Sequence, residues 1–297
     1  MITLALLFFR LMAAPAGPAG PEAIVLGVAQ DGGVPHLGCR QALCVEARRD
    51  PGKRRLVAAL GVVDPKAGKR FLIDATPDFA EQTENLGGLP DAILLTHAHI
   101  GHYLGLAQLG REVVNARELP VYATVSMAKF LRENKPWSRL VERRNIVLEE
   151  IEAGREFALT ESLHATAVRV PHRDEDSDTV AYLIRGPRRR VLWLPDIDRW
   201  EQWDRRPEDF AADGDLTMFV DGTFYSSDEI PGRAIADIPH PLVPDTVARL
   251  ASGGRPSARV LFVHLNHTNR LFWDREATND LEARGFAVAK QGKRYPL

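Results

Sequence analysis

The apolar run Ala92-Ile93-Leu94-Leu95 stops at Thr96-His97-Ala98-His99-Ile100-Gly101-His102, so three of the nine histidines fall within six residues. This junction constrains the fold more than any other feature. A short buried strand that empties into clustered imidazoles needs a frame whose strand ends meet at a rim. His97 and His99, two apart on extended chain, project to the same side. His102, three beyond His99, rejoins them if a helix starts near Gly101. Neutral imidazole is a ligand for zinc and other borderline divalent metals, iron included.

The remaining ligands of such a site are spread along the chain. His172 follows the strand-like run Ala167-Val168-Arg169-Val170-Pro171, Asp196 follows Val191-Leu192-Trp193-Leu194-Pro195, and His264 follows Val260-Leu261-Phe262-Val263. Each is a His or Asp at the end of a predicted strand, where loops carry chemistry on a rigid frame. Taken singly, each could also be a surface histidine, a turn aspartate or a satisfied strand histidine. Hydrophobic patterning predicts strands at 23–29, 56–63, 70–74, 91–95, 120–123, 163–170, 179–185, 190–195, 215–220 and 259–263. It predicts helices at 102–115, 125–134, 244–252 and 275–284. Two β-rich halves, each with helices, imply an α/β fold: an αββα four-layer sandwich of two mixed sheets flanked by helices.

The ordered set THxHxxH, His, Asp, His resembles the metallo-β-lactamase superfamily. Val25-Leu26-Gly27 with Gly32-Gly33, Asp74-Ala75-Thr76-Pro77-Asp78-Phe79, Asp221-Gly222-Thr223-Phe224 with Asp228-Glu229, and His264-Leu265-Asn266-His267-Thr268-Asn269 narrow the likeness. They resemble the branch that contains the pyrroloquinoline-quinone biosynthesis protein B, over roughly residues 22 to 290. The resemblance implies the αββα fold with a site at the sheet edge between the halves. It implies one ion on His97, His99 and His172, and a second on His102, Asp196 and His264, with Asp196 bridging.

One position departs from the pattern. The superfamily usually has Asp immediately before the third histidine, and here that residue is Gly101. Without its carboxylate, two divalent ions, Asp196 and a bridging hydroxide leave an excess of about two positive charges instead of about one. The second ion is therefore expected to bind more weakly and anions more strongly, and Gly101→Asp is expected to tighten the second site.

Several polar residues carry secondary expectations. Asp74, ending Phe71-Leu72-Ile73, resembles an aspartate that orients a metal histidine; a turn-capping role is the alternative. Asp178 is expected to support His172, and the acidic loop Asp174-Glu175-Asp176 to be a solvated face. His240, between Pro239 and Pro241, resembles a pocket histidine of the branch and is, with Asp196, the candidate catalytic residue; an exposed rigid loop is the alternative. Tyr103 and Trp273 are expected at the mouth. The only cysteines, Cys39 and Cys44, stand at C-x4-C. Relatives carry a Cys-rich structural zinc site here, which implies a remnant through Cys39, Cys44, His267 and His36. A disulfide or two free packing thiols are equal alternatives.

Composition removes some classes of function. Lys plus Arg is 38 and Asp plus Glu is 40, a balance with no general pull toward nucleic acid or anionic lipid. A length of 297 residues suits one large domain, expected over 22–297. The apolar run Ile2–Phe9, followed by Ala13-Ala14-Pro15-Ala16-Gly17-Pro18-Ala19-Gly20, reads residues 1–21 as a secretory signal peptide or a disordered segment. Export would place the protein in the periplasm or outside the cell, with no integral membrane association after signal removal; otherwise it is cytoplasmic. Nothing later is apolar enough to span a bilayer. The expected activity is a zinc-dependent (one or two ions) hydrolase acting through metal-bound hydroxide on a small phosphodiester or other anionic ester. An iron-dependent oxidase of redox-cofactor biosynthesis, as the branch implies, and a non-catalytic metal or small-molecule carrier are the rivals.

Overall fold

The computed structural model describes residues 20–205, 210, 215–230, 239–251 and 257–297. The expected signal segment lies almost wholly outside these. The first sheet contains β1 (Glu22–Gly27), β2 (Ala59–Asp64), β3 (Lys69–Ile73), β4 (Ala92–Leu94), β5 (Leu119–Thr124), β6 (Ile146–Ile151) and β14 (Arg294–Pro296), in the order β14-β1-β2-β3-β4-β5-β6. The second contains β7 (Glu156–Ala158), β8 (His164–Arg169), β9 (Val180–Arg185), β10 (Arg190–Leu194), β11 (Leu216–Asp221), β12 (Arg259–Val263) and β13 (Phe286–Val288), in the order β13-β12-β11-β10-β9-β8-β7.

The layers follow from which faces are apolar. Val25, Leu60, Phe71 and Leu94 of the first sheet pack in one core with Ala165, Tyr182, Trp193 and Phe219 of the second. The other face of the first sheet is covered by α2 (Phe79–Leu86), α3 (Ile100–Tyr103), α4 (Val125–Glu133) and α5 (Trp137–Glu142), through Phe79, Leu86, Tyr103, Met127, Leu131 and Leu140. The outer face of the second is covered by α6 (Val243–Leu250) and α7 (Arg275–Ala283), through Val247, Leu250 and Leu281. A further helix, α1 (Ala42–Arg49), lies between β1 and β2 in the chain. The parallel strands β10, β11 and β12 are buried on both faces, so their sequences are almost continuously apolar. This is the expected four-layer arrangement.

Strand direction builds the site. In the first sheet β1, β3 and β4 run the same way, since β2 is antiparallel to both β1 and β3 and β3 is parallel to β4. In the second, β8, β10, β11 and β12 share a direction by the same reasoning. The loops that leave these strands at their C-terminal ends carry Asp31, Asp74, the histidine triplet, His172, Asp196 and His264, and Asp221 is the last residue of β11.

The expected helix over 102–115 is not formed. The chain makes only the turn α3 and then a 3-10 stretch, Leu104–Leu109. Gly105 explains the interruption: a Cβ there would stand 2.3 Å from the Thr76 carbonyl oxygen, so the segment is pressed against the neighbouring loop. Strands β6, β7, β13 and β14 and helices α1, α2 and α5 were not among the expected elements. Among the described residues no helix is long and apolar enough to cross a membrane.

Candidate metal centre

All six expected metal ligands converge. Nε2 of His97 lies 2.8 Å from Nδ1 of His99, and Nε2 of His172 lies 3.2 Å from that same atom. These three nitrogens form one candidate set. Asp196 stands between the two sets: Oδ1 is 3.6 Å from His172 Nε2, and Oδ2 is 3.2 Å from His102 Nε2. His264 Nδ1 is 3.6 Å from Asp196 Oδ1. Asp196 is thus placed to touch both sets, as the resemblance implies.

Each histidine is oriented by a partner on its other nitrogen. Asp74 Oδ2 holds His102 Nδ1 at 2.8 Å, and Asp74 also accepts from the Thr96 backbone N–H and hydroxyl. Thr96 Oγ1 lies 3.0 Å from His97 Nδ1. Glu175 Oε2 holds His99 Nε2 at 2.8 Å, so the acidic loop after His172 is part of the site's support and not merely a solvated face. Asp198 Oδ1 holds His172 Nδ1 at 2.8 Å. Thr223 Oγ1 lies 3.0 Å from His264 Nδ1. Such contacts fix ring orientation and leave the opposite nitrogen for an ion.

Asp178 does not take the place expected for it. Its carboxylate accepts from Thr124 Oγ1 and Ser126 Oγ and pairs with Arg169, away from His172. The place is taken by Asp198, in the loop that follows β10, whose carboxylate reaches His172 Nδ1. Tyr103 is not at the mouth; its ring packs edge-on against Phe130 and Trp137 in the helix-side core. Trp273 is exposed and lines a surface cavity of about 650 Å³ with Leu43, His267 and Arg270.

His240 is buried and not on an exposed loop. Its Nδ1 pairs with Asp221 Oδ2 at 2.7 Å, and its ring lies 5.4 Å from that of His172 and 5.9 Å from that of His264. Burial pulls its pKa down, but the charge and hydrogen bond of Asp221 outweigh this and raise it above the usual imidazole value. Burial likewise opposes charge on His97 and, with neighbouring imidazoles, pushes it well down. At His102 burial is overcome by Asp74 and Asp196, which raise it well up. Burial would raise Asp196, yet His264 and His102 hold it well below the usual carboxylate range.

One site residue was missed entirely. Asp31 follows β1 in the turn Gln30-Asp31-Gly32-Gly33, and its Oδ1 lies 3.7 Å from His102 Nε2 and 3.5 Å from His264 Nε2. Burial pushes its carboxyl up, but the imidazoles of His264 and His102 hold it down at about 2. The only sequence signal was an Asp one residue before a glycine pair after a predicted strand. A second carboxylate, that of half-buried Asp31, therefore stands beside Asp196 at the site, with its Oδ1 atom buried.

The donor set fits a metal. Among the described residues, Asp31 Oδ1, His102 Nε2, Asp196 Oδ2 and His264 Nε2 are buried without a hydrogen-bond partner. Buried polar atoms are rarely left so, and four facing one another are the signature of a cation site.

A second group stands apart. The Sγ atoms of Cys39 and Cys44 and a ring nitrogen of His267 lie within 4.8 Å of one another. Both cysteines are free thiols. The His36 ring stacks on that of His267 at 4.2 Å, and the His36 backbone N–H donates to Cys44 Sγ.

A two-sheet sandwich with imidazoles and carboxylates gathered at one edge defines a metallo-β-lactamase-fold protein. The chain matches the beta-lactamase superfamily domain over residues 69–265 and belongs to that superfamily. It is 28% identical over 312 residues to the coenzyme PQQ synthesis protein B of Methylobacterium sp. (strain 4-46), covering 91% of this chain and 98% of the relative. Among solved structures it is similar to Zn(2+)-bound PqqB from Methylobacterium extorquens, with a TM-score of 0.76, 24% identity and coverage of 93% of this chain and 100% of the other. A diphosphatase of the PhnP family matches with a TM-score of 0.68, 24% identity and coverage of 93% and 97%.

Proposed function

We propose that this protein is a metal-dependent hydrolase of a small anionic ester, a phosphodiester being the favoured class, with zinc as the metal. The observation that carries the reading is the set of unpartnered buried donors flanked by a complete histidine set, each ring oriented from behind. His97, His99 and His172 would hold one ion, and His102, His264 and Asp196 a second. When bound, such an ion lowers the pKa of a coordinated water toward neutrality and polarises an ester oxygen.

The chain's own residues supply the rest. Asp196 is placed between the two sets. His240, tethered at Nδ1 by Asp221, has a ring nitrogen within 4.8 Å of ligand atoms of Asp196 and His264. A buried imidazole in that place is positioned to donate a hydrogen bond to an anionic oxygen of the substrate or a proton to the leaving group. The diphosphatase neighbour supports the preference for phosphoesters by analogy of fold.

A second reading, an iron-dependent oxidase in redox-cofactor biosynthesis, is favoured by the relatives named for coenzyme PQQ synthesis. Imidazole-rich sites also accept iron. The test is metal analysis of protein purified without chelators, followed by assay of bis(p-nitrophenyl) phosphate hydrolysis and of oxygen uptake. Zinc with diester turnover supports the hydrolase. Iron with oxygen uptake and no turnover overturns it.

A further inference from the structure

We propose that Asp31 is the carboxylate ligand of the second metal ion, supplied from the turn after β1, and that glycine at 101 is the condition for its being there. The inference rests on the metal centre proposed above and adds a ligand to it.

The first observation is steric. A Cβ built on Gly101 would lie 2.0 Å from Asp31 Oδ1, 2.8 Å from its Cγ and 2.9 Å from its Cα. The carboxylate of Asp31 therefore fills the space into which any side chain at 101 would project. The two residues are 70 positions apart in sequence, and the structure puts one in the other's place.

The second observation is the spacing. Ligands in a tetrahedral zinc site with bonds near 2.0–2.1 Å stand about 3.3–3.4 Å apart. Around the second site the separations are 3.7 Å for Asp31 Oδ1 to His102 Nε2, 3.5 Å for Asp31 Oδ1 to His264 Nε2, and 3.2 Å for His102 Nε2 to Asp196 Oδ2. These four atoms are buried, and none has a hydrogen-bond partner among the described residues. A carboxylate oxygen that faces two imidazole nitrogens without a hydrogen bond is satisfied when a cation joins them.

The third observation is the anchoring of the turn. Gln30 N–H donates to the Leu265 carbonyl at 2.9 Å, and Leu265 N–H donates to the Val28 carbonyl at 2.9 Å. The turn is closed by Gly33 N–H to the Gln30 carbonyl at 2.7 Å, with Gly33 at φ 63, a conformation suited to glycine. The turn bearing Asp31 is thus tied to the residue that follows His264, so carboxylate and imidazole are held as one unit.

The consequence reverses the expectation from sequence. With Asp31 as ligand, the formal charge of a two-ion site returns to an excess of about one. The second ion is not weakened by glycine at 101, and Gly101→Asp does not add a ligand but evicts one.

The experiment is calorimetric titration of the metal-free full-length chain with zinc, with plasma metal counts on the dialysed products and circular dichroism as the check on folding. Wild type is expected to take up one ion more than Asp31→Asn and Asp31→Ala, at unchanged secondary structure. Gly101→Ala is expected to lose the same ion, and Asp31→Gly combined with Gly101→Asp to regain it. Two ions bound with wild-type affinity by Asp31→Ala overturns the assignment, and so does a single ion in both wild type and Asp31→Ala. If Asp31→Ala fails to fold, Asp31→Asn and the double variant decide. Zinc uptake by wild type that is unaffected in His97→Ala overturns the metal centre itself, which separates that failure from failure of the Asp31 assignment.

Discussion

Oδ2 of Asp221 sits 2.7 Å from Nδ1 of His240, with both side chains buried beside the ring of His264. The same carboxylate accepts from the Ile197 and Thr223 backbone N–H groups and the Thr223 hydroxyl. Asp221 therefore links the Asp196 loop, the β11 loop and His240. If His240 acts on the substrate, His240→Ala should lower kcat by about 10²–10⁴-fold while the bound metal count stays unchanged. Steady-state kinetics on a diester, with metal analysis of the same sample, checks this. Loss of one equivalent of metal would instead assign His240 to the ion.

Asp198 is the partner of His172 Nδ1, at 2.8 Å. Removing it leaves the ring free to rotate away from His97 and His99. Asp198→Ala should weaken the first ion by about 10–100-fold, the usual cost of losing such a support. Competition with a zinc chelator reads the change. Asp178→Ala, which touches no metal histidine, should leave that affinity within error.

Asp64 closes β2, is buried, and accepts from the Lys66 and Ala67 N–H groups and the hydroxyls of Thr160 and Ser162. It thereby ties the first sheet to the segment entering β8. Burial pushes its carboxyl up, but the four hydrogen bonds outweigh that and lower its pKa. A depressed folded pKa means stability that is present above the unfolded carboxylate value and lost as pH falls through the folded one. Asp64→Ala should cost about 1.5–3 kcal/mol at pH 7. Its difference from wild type should shrink once the pH drops below about 4, the unfolded aspartate range. Urea unfolding across pH measures both.

The histidine ligands were legible because each ends an apolar run, and a strand end is readable from one sequence. So was the layering, since β10 and β12 are apolar throughout after their first residue. Strands β7, β13 and β14 escaped because three residues at a sheet edge carry too little pattern to distinguish them from loop. Helix α2 escaped because Glu81, Gln82, Thr83, Glu84 and Asn85 leave few apolar positions, although Gln82 and Thr83 are buried through hydrogen bonds to the Val57 and Ala80 carbonyls. The supports were the least legible. Asp178 lies six residues after His172 and Asp198 26 residues after it, and only the path of the chain brings the farther one to the ring. Asp31 gave almost no signal, because its role depends on the space left empty at Gly101.

Tyr182 joins the two sheets just behind the histidine triplet. Its ring is fully buried in the core between the sheets, and its hydroxyl donates to the Leu95 carbonyl at 2.9 Å. The next carbonyl, that of Thr96, accepts from Val180 N–H at 3.1 Å, and Leu95 N–H donates to the Tyr122 carbonyl at 3.0 Å. The end of β4 is therefore pinned from β5 on one side and β9 on the other, directly before His97. Tyr182→Phe keeps the ring and its packing but leaves the buried Leu95 carbonyl without this donor, which should cost about 1–3 kcal/mol. Tyr182→Ala removes the ring as well and should cost about 3–5 kcal/mol, by analogy with aromatic truncations in cores. Because the lost bond holds the chain at the root of the histidine loop, Tyr182→Phe should also weaken zinc binding at the first site. That effect should be smaller than that of Asp198→Ala, since every histidine keeps its own hydrogen-bonded partner. Chemical unfolding of the metal-free proteins isolates the packing cost, and the same series with zinc adds the binding cost. A Tyr182→Phe protein as stable as wild type in both series would mean that the hydroxyl does not pin the loop.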